Sequence, residues 1–328
     1  MLRGIGCLIV MLCGLCTVSM GAIPVIFDTD MSGDCDDTGA LAVLNKLADL
    51  GEAQILACVG DGIDKDKAVA ASVSAINTYY GRPEIPIGTY QGDRCQVTVS
   101  PYTAALRDGF PHHARPDNQM PEAVDVYRTA LASASDNSVT IISVGFLINL
   151  RELLESKPDG SSPLAGVDLV RRKVKRLVLM GGVFPRSDPE KGEYNLSFGG
   201  VGRDSQFVIE NWPTRILFSG FEIGGAVVTG TGLIGTPVGN PVRRAYELYR
   251  KVLFRGRPSW DLVTVLAAVR GPGMLWDVSG DGYCKVLPNG ANEWKGSPNR
   301  GQAYLVKKAT AREVAGKLNG LLRMAPGL

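Results

Sequence analysis

The chain reads IPVIFDTDMSGDCDD from residue 23 to residue 37, an apolar run followed at once by an acidic loop. The apolar residues, Ile23 to Phe27, predict a buried β-strand. The ten residues after it contain five aspartates: Asp28, Asp30, Asp34, Asp36 and Asp37. Open α/β sheets bind ligands at the carboxyl ends of their strands, which is where this loop would lie.

Carboxylates this close together raise one another's pKa unless a positive charge offsets their repulsion. The sequence has no Lys or Arg between Phe27 and Asn45, so the loop carries no counter-charge of its own. A ligand set made of oxygens without His favours a hard ion, Ca²⁺ or Mg²⁺, over zinc. We therefore expect a divalent cation here. A solvated acidic loop, or a series of helix caps, is the alternative: it is favoured for any single Asp here, but not for five together at the carboxyl end of a strand.

Two known motifs compete for this loop. An EF-hand would require a bidentate Glu at its twelfth position, where Gly39 stands, and a helix rather than a strand before it. Phosphatases of the haloacid-dehalogenase type also begin with an apolar strand that ends in Asp-x-Asp, the first Asp being the nucleophile. The EF-hand interpretation fails, and the phosphatase stays open as an alternative.

The composition is that of an ordinary globular enzyme. The chain has 328 residues, 45% hydrophobic and 21% charged, with a net charge of +2 that gives no reason to expect a nucleic-acid partner. Residues 1–21 resemble a secretory signal peptide, which predicts a secreted or periplasmic protein. The apolar run is shorter than the ~20 residues that span a bilayer, so we expect no stable membrane insertion after cleavage.

Four of the seven cysteines follow the signal segment: Cys35, Cys58, Cys95 and Cys284. They are too few for a disulfide framework, and we expect Cys35 and Cys58 to be small buried residues. The two histidines, His112 and His113, lie in a loop flanked by prolines. A surface role for them is favoured over a Cys-His nucleophilic pair.

Apolar runs alternate with amphipathic ones, which predicts an α/β fold with a doubly wound, mostly parallel sheet. The predicted strands are 24–27, 54–60, 85–88, 139–144, 176–180 and 215–218; the predicted helices are 37–50, 66–80, 121–133, 147–156 and 203–211. Residues 22–273 would form this domain. Residues 274–328 would pack on it as a small β-rich C-terminal appendage, a hairpin followed by a helix that opens with a capping box at Thr310 to Glu313.

Several motifs, in order, resemble the inosine–uridine preferring nucleoside hydrolase family. They are IFDTD (26–30) with DDTGAL (36–41), VGD (59–61), VGFLINL (144–150), MGG (180–182), EYN (193–195) and SWD (259–261). The resemblance covers about residues 22 to 270, and the ordered series is more specific than any one motif. It implies the nucleoside hydrolase fold.

The resemblance further implies calcium-dependent hydrolysis of the N-glycosidic bond of ribonucleosides or related ribosides by a metal-bound water. Asp30, Asp37 and Asp261, with the backbone carbonyl of Ile148, would hold Ca²⁺, and Asp36 would be a further metal ligand or sugar contact. Asp30 is the best candidate for the general base. We rank Asp36 above Asp34 as a ligand, and expect Asp28 to orient the loop by accepting backbone N–H bonds.

The remaining predicted substrate contacts are Asp61, Glu193, Asn195 and Trp260. Asp61 stands where the family usually has Asn. The loop before Glu193 lacks the expected Asn, and Trp260 replaces the His that often helps the base to leave. Trp260 would either be a core aromatic or stack on a nucleobase.

The sequence thus predicts an N-glycosyl hydrolase acting on a small nucleoside or riboside, and it leaves homo-oligomer formation open. Two other classes stay open beside it. One is the Mg²⁺-dependent phosphatase, although Ala57-Cys58-Val59 lacks the Ser or Thr expected at the end of the second strand. The other is a non-catalytic, calcium-dependent sugar- or nucleoside-binding protein.

Overall fold

The structure is a computed structural model that describes residues 21–94, 96–97 and 100–327. The predicted signal peptide, apart from its last residue, and Cys95 lie outside the described residues. No helix among the described residues is both long and apolar enough to cross a bilayer.

The strands, in chain order, are β1 (Ile23–Thr29), β2 (Ala53–Gly60), β3 (Ile63–Asp64), β4 (Ile87–Thr89), β5 (Gln96–Val97), β6 (Val139–Ser143), β7 (Val174–Met180), β8 (Arg215–Ser219), β9 (Val228–Thr229), β10 (Arg257–Pro258), β11 (Trp276–Val278), β12 (Tyr283–Val286), β13 (Asn292–Lys295) and β14 (Gln302–Lys307).

The helices, in the same order, are α1 (Asp36–Asp49), α2 (Val69–Tyr79), α3 (Thr103–Gly109), α4 (Ala123–Ser133), α5 (Ile148–Glu155), α6 (Gly166–Lys173), α7 (Tyr194–Ser197), α8 (Gly202–Asn211), α9 (Phe221–Gly224), α10 (Pro241–Leu248), α11 (Trp260–Arg270) and α12 (Ala311–Arg323). Short 3₁₀ helices lie at Asp117–Gln119, Phe198–Gly200, Thr231–Gly235 and Val252–Phe254.

An eight-stranded sheet has the order β11-β14-β8-β7-β6-β1-β2-β4. Its strands pair in parallel except β11, which runs antiparallel to β14 at the edge. From β1, the chain adds β2 and then β4 on one side of the sheet. It then returns to the other side of β1 and adds β6, β7 and β8 in that order. The strand order therefore reverses between β1 and β6, and the carboxyl ends of these two strands border the crevice where such sheets bind ligands.

Alternating side chains of the central strands face two apolar layers, as the period of two in a β-strand requires. Val25 and Phe27 of β1 pack toward one layer, which includes Leu41 of α1 and Leu262 of α11. Ile26 packs toward the other layer, with residues of α4, α5 and α8. Near-continuous apolar runs such as that of β1 are expected for a parallel sheet covered on both faces.

The predicted doubly wound α/β fold is confirmed, with small differences at element ends. Helix α2 begins at Val69 rather than Asp66, because the chain first makes a turn in which Lys67 N donates to Asp64 O. Helix α4 likewise begins at Ala123, two residues after Pro121. Cys35 and Cys58 are buried and free, as predicted.

The C-terminal region is partly an extension of the main sheet. Strands β12 and β13 form the predicted antiparallel hairpin, but β14 pairs in parallel with β8 and brings β11 with it. The capping box at Thr310 and Glu313 is present and opens α12. The hairpin strand β13 also supports the site described below, because the side-chain amide of Asn292 donates to Val183 O at 2.9 Å.

Candidate active site

A cleft of about 340 Å³ opens at the carboxyl ends of β1, β6 and β7. The residues that line it come from widely separated parts of the chain: Asp30, Gly33, Asp34, Asp36, Asp37, Val144, Met180, Glu193, Tyr194, Asn195, Phe221, Tyr249, Arg257, Trp260 and Asp261. Most of the predicted site residues are therefore gathered in one place, at the switch point of the sheet.

Three of the carboxylates that line the cleft lie close together. Asp36, Asp37 and Asp261 are buried, and one oxygen from each lies within 4.8 Å of the others. Asp36 and Asp37 open α1, whereas Asp261 is in the first turn of α11. Because the amino end of a helix carries a partial positive charge, two such ends facing one another favour this concentration of negative charge.

Hydrogen bonds from the protein fix two of these carboxylates. Asp36 Oδ2 accepts the backbone N–H groups of Trp260 at 3.1 Å and Asp261 at 3.3 Å. Asp37 Oδ1 accepts the hydroxyl of Thr29 at the end of β1. Side chains held in this way are preoriented for a ligand.

Burial raises the pKa of Asp36, Asp37 and Asp261 well above the usual value, and the neighbouring carboxylates raise it further. Without a counter-ion, this burial and repulsion favour the protonated forms of the carboxyl groups. A divalent cation removes that repulsion, and an oxygen-only donor set matches Ca²⁺ or Mg²⁺. The donor set therefore fits the metal ion that the sequence predicts.

Asp30 lies in the wall of the same cleft, one residue after β1. Burial, followed by the charge of Asp36, raises its pKa to about 7. A carboxylate with a pKa near neutrality is suited to accept a proton at physiological pH. The geometry is thus compatible with the general base predicted at this position.

Behind Asp30 lies a buried pair of carboxyl groups, Asp28 and Asp61. Asp28 accepts the hydroxyl of Tyr127 at 2.6 Å and the amide of Asn149 at 3.2 Å, and the backbone N–H of Thr29 is a further donor to it, so side-chain donors join the backbone donor that was expected. Asp61 is fully buried and packs against Gly145, where an added Cβ would come within 2.4 Å of its carboxylate. The side chain of Asp61 is not part of the cleft wall, and its predicted sugar contact remains a prediction.

Sequence reasoning missed an ion pair in the cleft wall. Arg257 binds Asp34 through both Nε and Nη2, and the Nε distances to the carboxylate oxygens are 2.9 Å. The Arg257 guanidinium also lies 5.2 Å from the ring centre of Tyr249 and 5.1 Å from that of Trp260. Asp34 is thus paired with Arg257, whereas Asp36, Asp37 and Asp261 form the carboxylate group. The ranking of Asp36 above Asp34 as a metal ligand remains a prediction.

Glu193 and Asn195 also line the cleft, at the start of α7. The Glu193 carboxylate accepts backbone N–H groups of Gly182 and Asn195, each at 3.1 Å, and burial raises its pKa to about 7. Asn195 Nδ2 donates to Val144 O at 2.9 Å and Met180 O at 3.1 Å. These bonds tie α7 to the ends of β6 and β7 and position polar groups at the cleft surface.

Trp260 is partly buried against the core and also lines the cleft, and its stacking on a nucleobase remains a prediction. Its indole N–H donates to Phe221 O at 2.9 Å, and its ring stacks on that of Phe221 with centroids 5.1 Å apart. The ring nevertheless lines the cleft, and Phe221 is 47% exposed there. The indole N–H is engaged by the protein, so it does not serve a ligand as a donor.

Ile148 begins α5 and is buried beside Phe146 and Tyr90. The predicted role of its carbonyl as a metal ligand remains a prediction. Two other residues of the cleft, Tyr249 and Phe221, were not foreseen. They carry no local motif, and their position follows only from the packing of α9, α10 and α11 around the cleft.

No protein-family model and no curated protein matches the chain. Solved structures do. A plant nucleoside hydrolase, PpNRh1, superposes with a TM-score of 0.66 at 20% identity, over 92% of this chain and 99% of its own. The inosine-uridine preferring nucleoside hydrolase of Bacillus anthracis superposes with a TM-score of 0.64 at 16% identity, over 92% of this chain and 99% of its own.

The type III effector protein XopQ, solved with adenosine diphosphate ribose, gives a TM-score of 0.66 at 15% identity over 94% of this chain and 95% of its own. At such identities a likeness shows the fold alone. The chain has the nucleoside hydrolase fold, a mostly parallel sheet with helices on both faces, which is shared by hydrolases and by an effector protein.

Proposed function

We propose that this protein is a calcium-dependent hydrolase of the N-glycosidic bond of ribosides. The observation that carries the proposal is the juxtaposition of Asp36, Asp37 and Asp261, three buried carboxylates that need a cation, with Asp30 and the polar wall of Glu193 and Asn195. The fold shared with nucleoside hydrolases supports the reaction class.

The carboxylate cluster would hold Ca²⁺, with Asp30 and the carbonyl of Ile148 as further predicted ligands. When bound, a divalent ion lowers the pKa of water and organises vicinal hydroxyls. Asp30 would accept the proton of the attacking water, because it lies in the cleft wall and its pKa of about 7 without an ion would be lowered by a bound cation, which favours the ionised form. Water would attack C1′ on the face opposite the leaving group, which predicts inversion.

Glu193 and Asn195 bind the sugar hydroxyls in this proposal. Glu193 is an acceptor fixed by two backbone donors, and Asn195 is fixed by two carbonyls, so neither side chain has to become ordered when ribose binds. Contacts of this preorganised kind contribute most when they strengthen in the transition state.

A non-catalytic sugar- or nucleoside-binding protein is the second candidate. It is favoured by Trp260, which cannot protonate a leaving group, and by the fold shared with an effector protein solved with adenosine diphosphate ribose. The phosphatase interpretation has less support, because the end of β2, Cys58 to Gly60, offers no hydroxyl for a phosphoryl group.

The test is a mass-spectrometric screen of the purified protein, without its predicted signal segment, against nucleosides, other ribosides and phosphoesters. The proposal expects release of free ribose from at least one riboside, abolished by a chelator and restored by Ca²⁺. Release of phosphate alone would identify a phosphatase. Tight binding of ribosides without turnover would establish the second candidate instead.

A further inference from the structure

The inference concerns how the leaving group departs, and it rests on the proposed function. A proton donor next to the departing base typically contributes about 10² to 10⁴ in rate. Trp260 supplies no such proton, and its N–H is bonded to Phe221 O. Some other group in the cleft must therefore stabilise the electrons that the leaving group takes with it.

Arg257 is the only Lys, Arg or His among the described residues that line the cleft. It lies on β10, four residues before Asp261, and its guanidinium contacts the ring of Trp260. A fixed positive charge thus stands on the same wall as Trp260, where the sequence places the leaving group.

The guanidinium is held rigidly, but not all of its N–H donors have a hydrogen-bond partner. Nε and Nη2 bind Asp34, and no hydrogen-bond partner for Nη1 is found among the described residues. Asp34 is itself fixed, because its Oδ1 accepts Cys35 N at 2.6 Å and its carbonyl accepts the Tyr102 hydroxyl at 2.6 Å. A guanidinium in a fork of this kind loses little further freedom when its remaining donors bind a ligand.

We propose that Arg257 is a catalytic residue that binds the leaving group through Nη1 and stabilises the negative charge that develops on it. The water oxygen forms a bond to C1′ and gives one proton to Asp30. The bond from C1′ to the leaving-group nitrogen, or to its oxygen in an aryl riboside, breaks, and its electron pair moves onto the departing ring. The leaving group departs as an anion hydrogen-bonded to Arg257 and takes its proton afterwards from solvent. Arg257 transfers no proton.

This assignment defines a substrate class. Favoured ribosides carry a planar leaving group with an acceptor atom, a carbonyl oxygen, ring nitrogen or phenolate oxygen, that becomes anionic on departure. An N-ribosylpyridinium behaves differently, because its leaving group departs as a neutral molecule and needs no cation. The two kinds of riboside therefore separate a role in charge stabilisation from a merely structural one.

The experiment compares kcat for p-nitrophenyl riboside, inosine and an N-ribosylpyridinium in wild type, Arg257→Gln and Arg257→Lys. Arg250→Gln is the matched control, because Arg250 also lies over the Tyr249 ring, at 5.6 Å, but does not line the cleft. Loss of a charged hydrogen bond is expected to lower kcat for the first two substrates by about 10- to 100-fold in Arg257→Gln. Arg257→Lys should retain part of the rate, and the pyridinium rate should not fall.

An equal loss on all three substrates, or no loss on any, would overturn the assignment. Binding of p-nitrophenolate alone, followed by calorimetry, gives a readout that does not need turnover. Arg257→Gln should bind this anion at least about tenfold more weakly than wild type and Arg250→Gln. If wild type cleaves no riboside, the proposed function fails, and equal nitrophenolate affinity in Arg257→Gln and wild type would separately remove Arg257 as the anion-binding group.

Discussion

Asp36 Oδ2 accepts the backbone N–H of Trp260 at 3.1 Å, although 224 residues separate the two. The bond joins the start of α1 to the start of α11 and so brings Asp261 to the carboxylates of the acidic loop. The cluster is therefore a product of helix packing as well as of the loop sequence.

The first prediction concerns Asp261, the proposed metal ligand that lies farthest along the chain from the acidic loop. Asp261→Asn should weaken Ca²⁺ binding and lower the thermal midpoint in Ca²⁺ by about 5 °C at a concentration 100 times the wild-type Kd, because binding stabilises only the folded form. The midpoint in chelator should not fall. Asp34→Asn is the control, since Asp34 lines the cleft but pairs with Arg257. Wild-type affinity in Asp261→Asn, or an equal loss in Asp34→Asn, would contradict the assignment.

The second prediction concerns pH. The folded pKa values of Asp36, Asp37 and Asp261 lie well above the usual 3.8, and that of Asp30 is about 7. Groups with raised pKa stabilise the fold fully below 3.8, and this contribution is lost as pH rises through the folded pKa. In chelator, stability should therefore fall as pH rises from about 4 through 7, whereas Ca²⁺ should restore it at high pH.

Calorimetry in buffers of different ionisation enthalpy should accordingly show protons released on Ca²⁺ binding, and Ca²⁺ affinity should rise from pH 5 to pH 8. A pH-independent affinity would show that the carboxylates are already ionised in the absence of the ion.

The third prediction separates the sugar wall from the metal. Asn195→Asp preserves the shape of the side chain but removes the donors to Val144 O and Met180 O, and Glu193→Gln removes a charged acceptor. We expect kcat to fall by about 10² or more in each, because contacts that strengthen in the transition state appear in kcat. Calcium titration should give the wild-type Kd in both. Unchanged kinetics would mean that the match to the EYN motif is coincidental.

The fourth prediction concerns Trp260. Ribosides with activated leaving groups, such as p-nitrophenyl riboside, should be cleaved with a higher kcat than inosine or uridine, because no acid is needed for them. Trp260→His should narrow this difference by raising the inosine rate. The measurement is kcat across ribosides of graded leaving-group pKa; a flat dependence in wild type would show that another acid exists.

The local pattern was sufficient for much of this arrangement. Apolar runs predicted β1, β2, β6, β7 and β8, and the acidic loop pointed to a cation. The inclusion of Asp261 with these carboxylates came from the resemblance of the SWD motif to the nucleoside hydrolase family. The Asp34–Arg257 pair was missed because its partners lie 223 residues apart and neither belongs to a motif. The pairing of β14 with β8 was missed for the same reason, since strand periodicity indicates which face is buried and not which strand is the neighbour.

The most direct test of the account is a calcium titration of catalysis. Wild-type protein is stripped with chelator, and ribose release from its best riboside is measured as Ca²⁺ is added back, beside the calorimetric binding curve. The account predicts no turnover in chelator, recovery with the same half-saturation as binding, and a shift of both curves to higher Ca²⁺ in Asp261→Asn. Full ribose release in chelator, or a wild-type curve in Asp261→Asn, would contradict it.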